Sequence, residues 1–331
     1  MKRIILFALA GLVVLSFMTD SGFAWGPATH IYITRRLDRR LGAMNFQKIY
    51  GGIAPDIFSY IYRVPSRKYL ETQMHTEVMG LLAAADKKEL KAFALGFMGH
   101  NEVWGADYIA RHEPDYIGRK SDQLIARIQQ NPTQFSEELR NTMDALFEIE
   151  GEYMHGLCCI AVEYSVDLLI KRNEDPEIGA RIILATTLRD PNIPSLLTSV
   201  YGRNQEEIQT ILSSEMEFRK AMLAYGNNLL LDERSAVKAV AGMIAEIAPD
   251  AICIDLPNQD KLTSMGIELL NAALVICRSD YSQYVSIAIE TVKRKINTGY
   301  LNTDLDPVEE EVSPWEDIIS PPQTGIYPFV R

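Results

Sequence analysis

Residues Phe97 to His112 read FMGHNEVWGADYIARH, a stretch that sets the expectation for the whole chain because it places His100, Asp107 and His112 in one short helical segment. Imidazole and carboxylate are donors that zinc accepts, and a helix turns them to one side when they recur every three to four residues. His100 and Asp107 meet that angular condition but stand seven residues apart. A straight helix would separate them by about 10 Å of rise, too far for both to reach one ion at roughly 2 Å each. If they share a metal, the helix must kink or break near Gly105. Taken singly, each also reads as a satisfied helix histidine or a solvated aspartate.

Working outward, helices are expected almost throughout. Upstream, Gly96 and Gly99 lack a Cβ and admit close approach of another backbone or a ligand. Asp86-Lys87-Lys88-Glu89 has the form of a capping box with aspartate as the cap. His75 leads into TEVMGLLAAAD, and the irregular pattern from Tyr60 to Gln73 reads as loop. In GGIAPDIF, Pro55 forces a turn and Asp56 follows it, as an N-cap or as a cation ligand. Pro27 opens a helix of about four turns through ATHIYITRRLDRRLG that carries His30. Downstream, no proline follows Pro132 as far as Arg172, so one long helix or two abutting ones is expected. Glu152, His155, Cys159, Glu163 and Asp167 share one ridge of it. Further helices are expected at about 175–190, 193–202, 204–226, 230–248 and 259–296.

The chain has 331 residues and a formal net charge of −11. Its first 24 residues read as an export signal: Lys2 and Arg3, an apolar run from Ile4 to Met18, then Gly22 and Ala24 before a cut that leaves Trp25 first. Removing Lys2, Arg3 and Asp20 takes the net charge from −11 to −12. The dispersed acidity argues against duplex nucleic acid, which needs clustered Lys and Arg, and leaves only transient contact with a membrane surface. The apolar run is shorter than the roughly 20 residues of a membrane-spanning helix. Cys158, Cys159, Cys253 and Cys277 stand in apolar settings and read as buried free thiols. The last 35 residues carry five prolines and an acidic run, Glu309 to Glu311, and read as an extended tail. The division expected is 1–24 export signal, 25–172 histidine-bearing helical domain, 173–297 C-terminal helical region and 298–331 tail.

All five histidines, His30, His75, His100, His112 and His155, fall between residues 30 and 155. With WGPATH at the cut, PD at Pro55 and Asp56, and ALGFMGH ending at His100, the order resembles the zinc-dependent phospholipase C family, whose fold is shared with fungal single-strand nucleases. The resemblance covers about residues 25 to 170. It implies an all-α, multi-helix bundle with additional C-terminal helices and a two- to three-zinc site hydrolysing a phosphodiester such as a phospholipid head group. It implies that Trp25 (through its free amine and carbonyl), His30 and Asp107 hold one ion, that Asp56, His75, His100 and Asp107 hold another, and that His112, His155 and a carboxylate hold the third. Asp56 would orient or deprotonate the attacking water. Two spacings depart from the family: its bridging aspartate usually follows the histidine by four residues, and the position four after His155 is Cys159. Glu163, with Asp167 behind it, best fits the third-site carboxylate; Glu152 and Cys159 are the alternatives.

Overall fold

The computed structural model describes residues 24–37, 46–59, 64, 66–112, 115–149, 151–252 and 258–299, with the main chain alone at 147–149, 151–152, 247–252 and 298–299. These residues are 83% helical and contain no strand, an all-α multi-helix bundle. In order come α1 Pro27–Leu37, α2 Phe46–Gly51, a 3-10 turn at Ala54–Phe58, α3 Arg67–Thr76, α4 Met79–Ala84, α5 Lys88–His100 and α6 Ala106–Arg111. They are followed by α7 Tyr116–Gln130, α8 Glu137–Ile149, α9 Gly151–Asn173, α10 Ile178–Leu188, α11 Ile193–Tyr201, α12 Gln205–Leu230, α13 Glu233–Ile252, α14 Gln259–Cys277 and α15 Tyr281–Gly299. The stretch read as an export signal, except Ala24, the residues beyond Gly299 and Cys253 lie outside the described residues, as do most of Tyr60 to Pro65.

Buried apolar side chains from Ala24 to Ile296 form one continuous cluster, so the histidine-bearing region and the C-terminal helices share a core. Helix α1 runs through it, with every residue from Pro27 to Thr34 buried. A helix covered on all sides has no amphipathic stripe, which is why its apolar spacing is loose. Helix α9 is similar: Tyr153–Asn173 has the length and hydropathy of a membrane span, but 78% of that window is buried inside the protein. Helices α2 and α5 approach closely because they meet at glycines. A Cβ on Gly96 would lie 1.9 Å from the Lys48 carbonyl oxygen, and one on Gly51 would lie 2.1 Å from that of Phe93.

Several local expectations are corrected. Residues Arg67 to Gln73, read as loop, begin α3; Leu70 and Met74 are buried one turn apart and the Arg67 Nε donates to the Phe58 carbonyl at 3.0 Å. Asp86 does not cap α5, whose N-cap is Lys87 without a side-chain cap bond. The helix expected over 259–296 breaks after Cys277 and bends by 74° into α15. Lys120 donates to the Ile276 carbonyl at 2.9 Å and pairs with Asp280 at 2.8 Å, and the Tyr116 hydroxyl donates to Asp280 at 3.2 Å. These partners from α7 satisfy the end of α14, where a continuing helix would have used its own amides. Cys158, Cys159 and Cys277 are buried free thiols, as expected.

Candidate metal centre

The break expected near Gly105 is present. Helix α5 stops at His100, and α6 begins at Ala106. Between them the Asn101 side-chain oxygen accepts from the amides of Val103 at 2.8 Å and Trp104 at 2.9 Å, replacing the helical carbonyls that those amides would have met. A Cβ on Gly105 would sit 2.6 Å from both the N and O of Asn101, so the turn closes only around glycine. Asp107 thereby swings back over His100, with Oδ2 at 3.1 Å from its Nε2.

Five elements converge on this point: α1, the 3-10 turn, α3, α5 and α6. The His30 Nε2 of α1 lies 3.1 Å from Asp107 Oδ1, the His75 Nε2 of α3 lies 3.8 Å from Asp107 Oδ2, and Asp56 in the 3-10 turn places Oδ1 3.3 Å from His75 and 3.6 Å from His100. Ligands about 2.0–2.1 Å from a tetrahedral zinc stand about 3.3 Å from one another, and the four contacts with the histidines bracket that spacing. By distance alone His30 and Asp107 form an ion pair, yet His30 Nε2, His100 Nε2 and Asp107 Oδ1 are buried without a hydrogen-bond partner. At 3.1 Å the His30 and Asp107 atoms are near enough to bond, so it is the angle that fails. Orphaned buried polar atoms are costly, and bound cations would satisfy all three. The trios His30, His100, Asp107 and Asp56, His75, His100 each bring one ligand atom apiece within 4.8 Å of one another, as does His75, Glu102, Asp107.

The far side of two imidazoles is fixed by main chain. His75 Nδ1 lies 2.8 Å from the Glu71 carbonyl, and His100 Nδ1 lies 2.9 Å from the Gly52 carbonyl. With a carbonyl to accept, Nδ1 holds the hydrogen and Nε2 is left as the ligand nitrogen. The close crossing of α2 and α5 at Gly51 and Gly96 is what brings Gly52 within reach.

Charge is strongly coupled here. Burial opposes protonation of His100, but Asp107 and Asp56 outweigh it and raise its pKa well above the ordinary value; Asp56 raises that of His75 against the same burial. Burial and then His100 lower that of His30. Burial works against ionising Asp107, yet His100 and His30 hold it well below the usual carboxylate range, and the His100 and His75 contacts lower Asp56 likewise. The carboxylates favour protons on His75 and His100, a positive charge that a bound metal would otherwise supply.

Asp167, a supporting carboxylate in the sequence reading, caps α1 from α9. Its Oδ1 accepts from the Thr29 amide at 2.7 Å and the Thr29 hydroxyl at 2.6 Å, and its Oδ2 from the Ala28 amide at 2.9 Å and the Tyr225 hydroxyl of α12 at 2.6 Å. A Cβ on Gly26 would lie 2.4 Å from Oδ2, so the approach needs glycine there. Burial pushes the Asp167 carboxyl up to about 6 against these donors. The cap anchors the turn that carries His30. Glu102 and Tyr225 were not singled out from sequence; the only hint of Glu102 was its place in the longer spacing between His100 and Asp107.

The third set is not brought together: among the described residues, none of His112, His155 and Glu163 belongs to a trio of ligand atoms within 4.8 Å. His112 is an exposed C-cap of α6 with its ring against Tyr108 at 4.9 Å. The His155 side chain is 42% exposed, 3.6 Å from Asp122 of α7 and 3.5 Å from Cys159 Sγ. Burial pushes the Cys159 thiol up to about 12. Glu163 has Oε1 buried and unpartnered, and burial followed by the charge of Asp56 raises its carboxyl well above the ordinary value. The Glu152 side chain lies outside the described ones. Trp25 is buried with its ring stacked on Tyr116 at 5.5 Å. No protein-family model, curated protein or solved structure matches this chain.

Proposed function

We propose that this chain is an exported zinc-dependent phosphodiesterase of the phospholipase C type, acting on a phosphodiester such as a phospholipid head group. Support comes above all from the orphaned Nε2 atoms of His30 and His100 with Asp107 Oδ1, which α1, α5 and α6 bring together. Bound zinc would supply Lewis acidity toward a phosphoryl oxygen and make a water acidic enough to ionise near neutral pH. His30, with Trp25 on the resemblance, and Asp107 Oδ1 would hold one ion; His75, His100, Asp56 and Asp107 Oδ2 would hold the other. Asp107 turns Oδ1 toward His30 and Oδ2 toward His100, so its carboxylate could serve ions on both sides. Asp56 is the open member: its side chain is 24% exposed, against 4% or less for the imidazoles and Asp107. Water and substrate reach the centre from that side, where Asp56 orients the water or takes its proton. Side chains around Tyr60 to Tyr69 and Asn101 to Trp104 would select the head group.

The alternative is an exported helical protein that keeps metal for stability and turns nothing over. The unassembled His112, His155 and Glu163 set favours it. Metal analysis of the mature chain purified without chelator, paired with hydrolysis of a chromogenic phosphodiester with and without zinc, separates the two. Two ions per chain and zinc-dependent turnover are expected; metal without turnover selects the alternative, and no metal rejects both.

A further inference from the structure

We infer that Glu102 is a further ligand of the centre, a carboxylate on the ion held by His75 and Asp107. This rests on the zinc reading above and adds a residue that neither composition nor resemblance supplied. A carboxylate oxygen of Glu102 lies within 4.8 Å of ligand atoms of both His75 and Asp107. The second observation is independent of Glu102: His100 is 1% exposed, and its Nε2 has no hydrogen-bond partner although it lies 3.1 Å from Asp107 Oδ2, the oxygen on the side of His75.

Main chain fixes the position of Glu102. Its amide donates to the His75 carbonyl at 3.0 Å, which ties the turn after α5 directly to α3. One carboxylate oxygen, Oε1, accepts from Arg111 Nη1 at 2.8 Å, while Arg111 Nη2 lies 4.0 Å from Asp107 Oδ2. A carboxylate has two oxygens, so this contact orients the group without using it up, as partners of metal-bound carboxylates do. As a stabilising ion pair alone it would count for little, since both side chains reach solvent.

The charge count points the same way. Asp56, Glu102 and Asp107 place three carboxylates around one guanidinium, Arg111, leaving a net of −2 when the imidazoles are neutral and when Glu163, whose carboxyl burial and Asp56 raise well above the ordinary value, counts as protonated. Two dications would turn that to +2, which attracts a phosphodiester anion. The longer turn between His100 and Asp107 thus supplies a ligand as well as the break.

The test compares wild type with Glu102→Gln and Arg111→Gln, with Glu138→Gln on the distant Lys261 pair as a control. Each metal-stripped protein is titrated with zinc against a chromogenic chelator, its cobalt-loaded visible spectrum is recorded, and its metal-free melting temperature is measured. Glu102→Gln is expected to weaken one of the two ions by at least about tenfold and to change the cobalt bands, with Arg111→Gln intermediate and Glu138→Gln unchanged. Should Glu102→Gln fail to fold, Glu102→Asp takes its place with the same weakening expected. Unchanged zinc affinity and spectrum, with only the metal-free melting temperature moved, would reduce Glu102 to a partner of Arg111 and overturn the inference. If wild type itself binds no zinc, the metal reading fails first.

Discussion

The set around Asp107 and the set around His155 use the same residue types on neighbouring helices, and only one converges. His30, His75, His100 and Asp107 are each 3% exposed or less, and main chain holds the imidazoles of His75 and His100. His112 and His155 sit at a helix end and on a half-open surface, with a tyrosine and an exposed aspartate as neighbours. Helix α9 contains both situations. At its C-terminal end Asp167 is fully buried and takes four hydrogen bonds; three turns earlier His155 faces solvent. A histidine becomes a ligand candidate when burial removes its water and packing fixes its ring, and residue type alone does neither.

The largest effect should come from Asp107→Ala, which removes the oxygens facing His30, His75 and His100 together. Zinc affinity is expected to fall by more than about a hundredfold, beyond the usual range for outer-shell changes. Retention of wild-type zinc content would erase the contrast between the two sets.

Asp167→Ala comes next, because it strands the Ala28 and Thr29 amides and the Tyr225 hydroxyl in the core. A stability loss of roughly 2–4 kcal/mol is expected in denaturant unfolding of the metal-free protein. Tyr225→Phe, which removes one donor, should cost about 1 kcal/mol. A loss below about 0.5 kcal/mol for Asp167→Ala would mean that α1 does not depend on its cap from α9.

Protonation of Asp167 gives a smaller handle. Its folded-state value near 6 lies above the ordinary 3.8, so the folded chain binds this proton more tightly than the unfolded chain. The contribution of this one group to stability is therefore fully present below pH about 4 and declines as the pH rises through about 6, by on the order of 3 kcal/mol in all. The carboxyl carbon shift of Asp167, followed by NMR, should titrate near pH 6; a midpoint near 4 would show that the four donors overcome burial.

The smallest effects belong to the open set. His155→Ala and His112→Ala should leave zinc content at the wild-type value and change stability by less than about 0.5 kcal/mol. Loss of one ion in either variant would mean that a third centre forms on loading, through movement of α6 or α9.

The break after His100 was legible because two ligand types seven residues apart cannot share an ion along a straight helix, and Gly105 offered the place to turn. The glycines at Gly51 and Gly96 marked a close approach without saying to what. Other features left no local trace. The bend after Cys277 depends on Lys120 and Tyr116, more than 150 residues away, and Arg67–Thr76 becomes a helix although its charged residues blur the apolar period. The Asp86 cap failed because the sequence form of a capping box does not require its bonds to be made.

By itself the sequence determined an all-helical chain, the residue types able to hold a metal, and the local breaks set by glycine and proline, since these follow from backbone sterics and side-chain chemistry within a few residues. Tertiary structure alone decided which of those residues meet. Bringing His30, Asp56, His75, His100 and Asp107 within 3.1 to 3.8 Å contacts depends on helix crossings, a cap from Asp167 and a turn tied to the His75 carbonyl, all between positions distant in the chain. Ligand geometry at that precision is fixed by packing in the shared core, and the order of residues along a helix does not encode it.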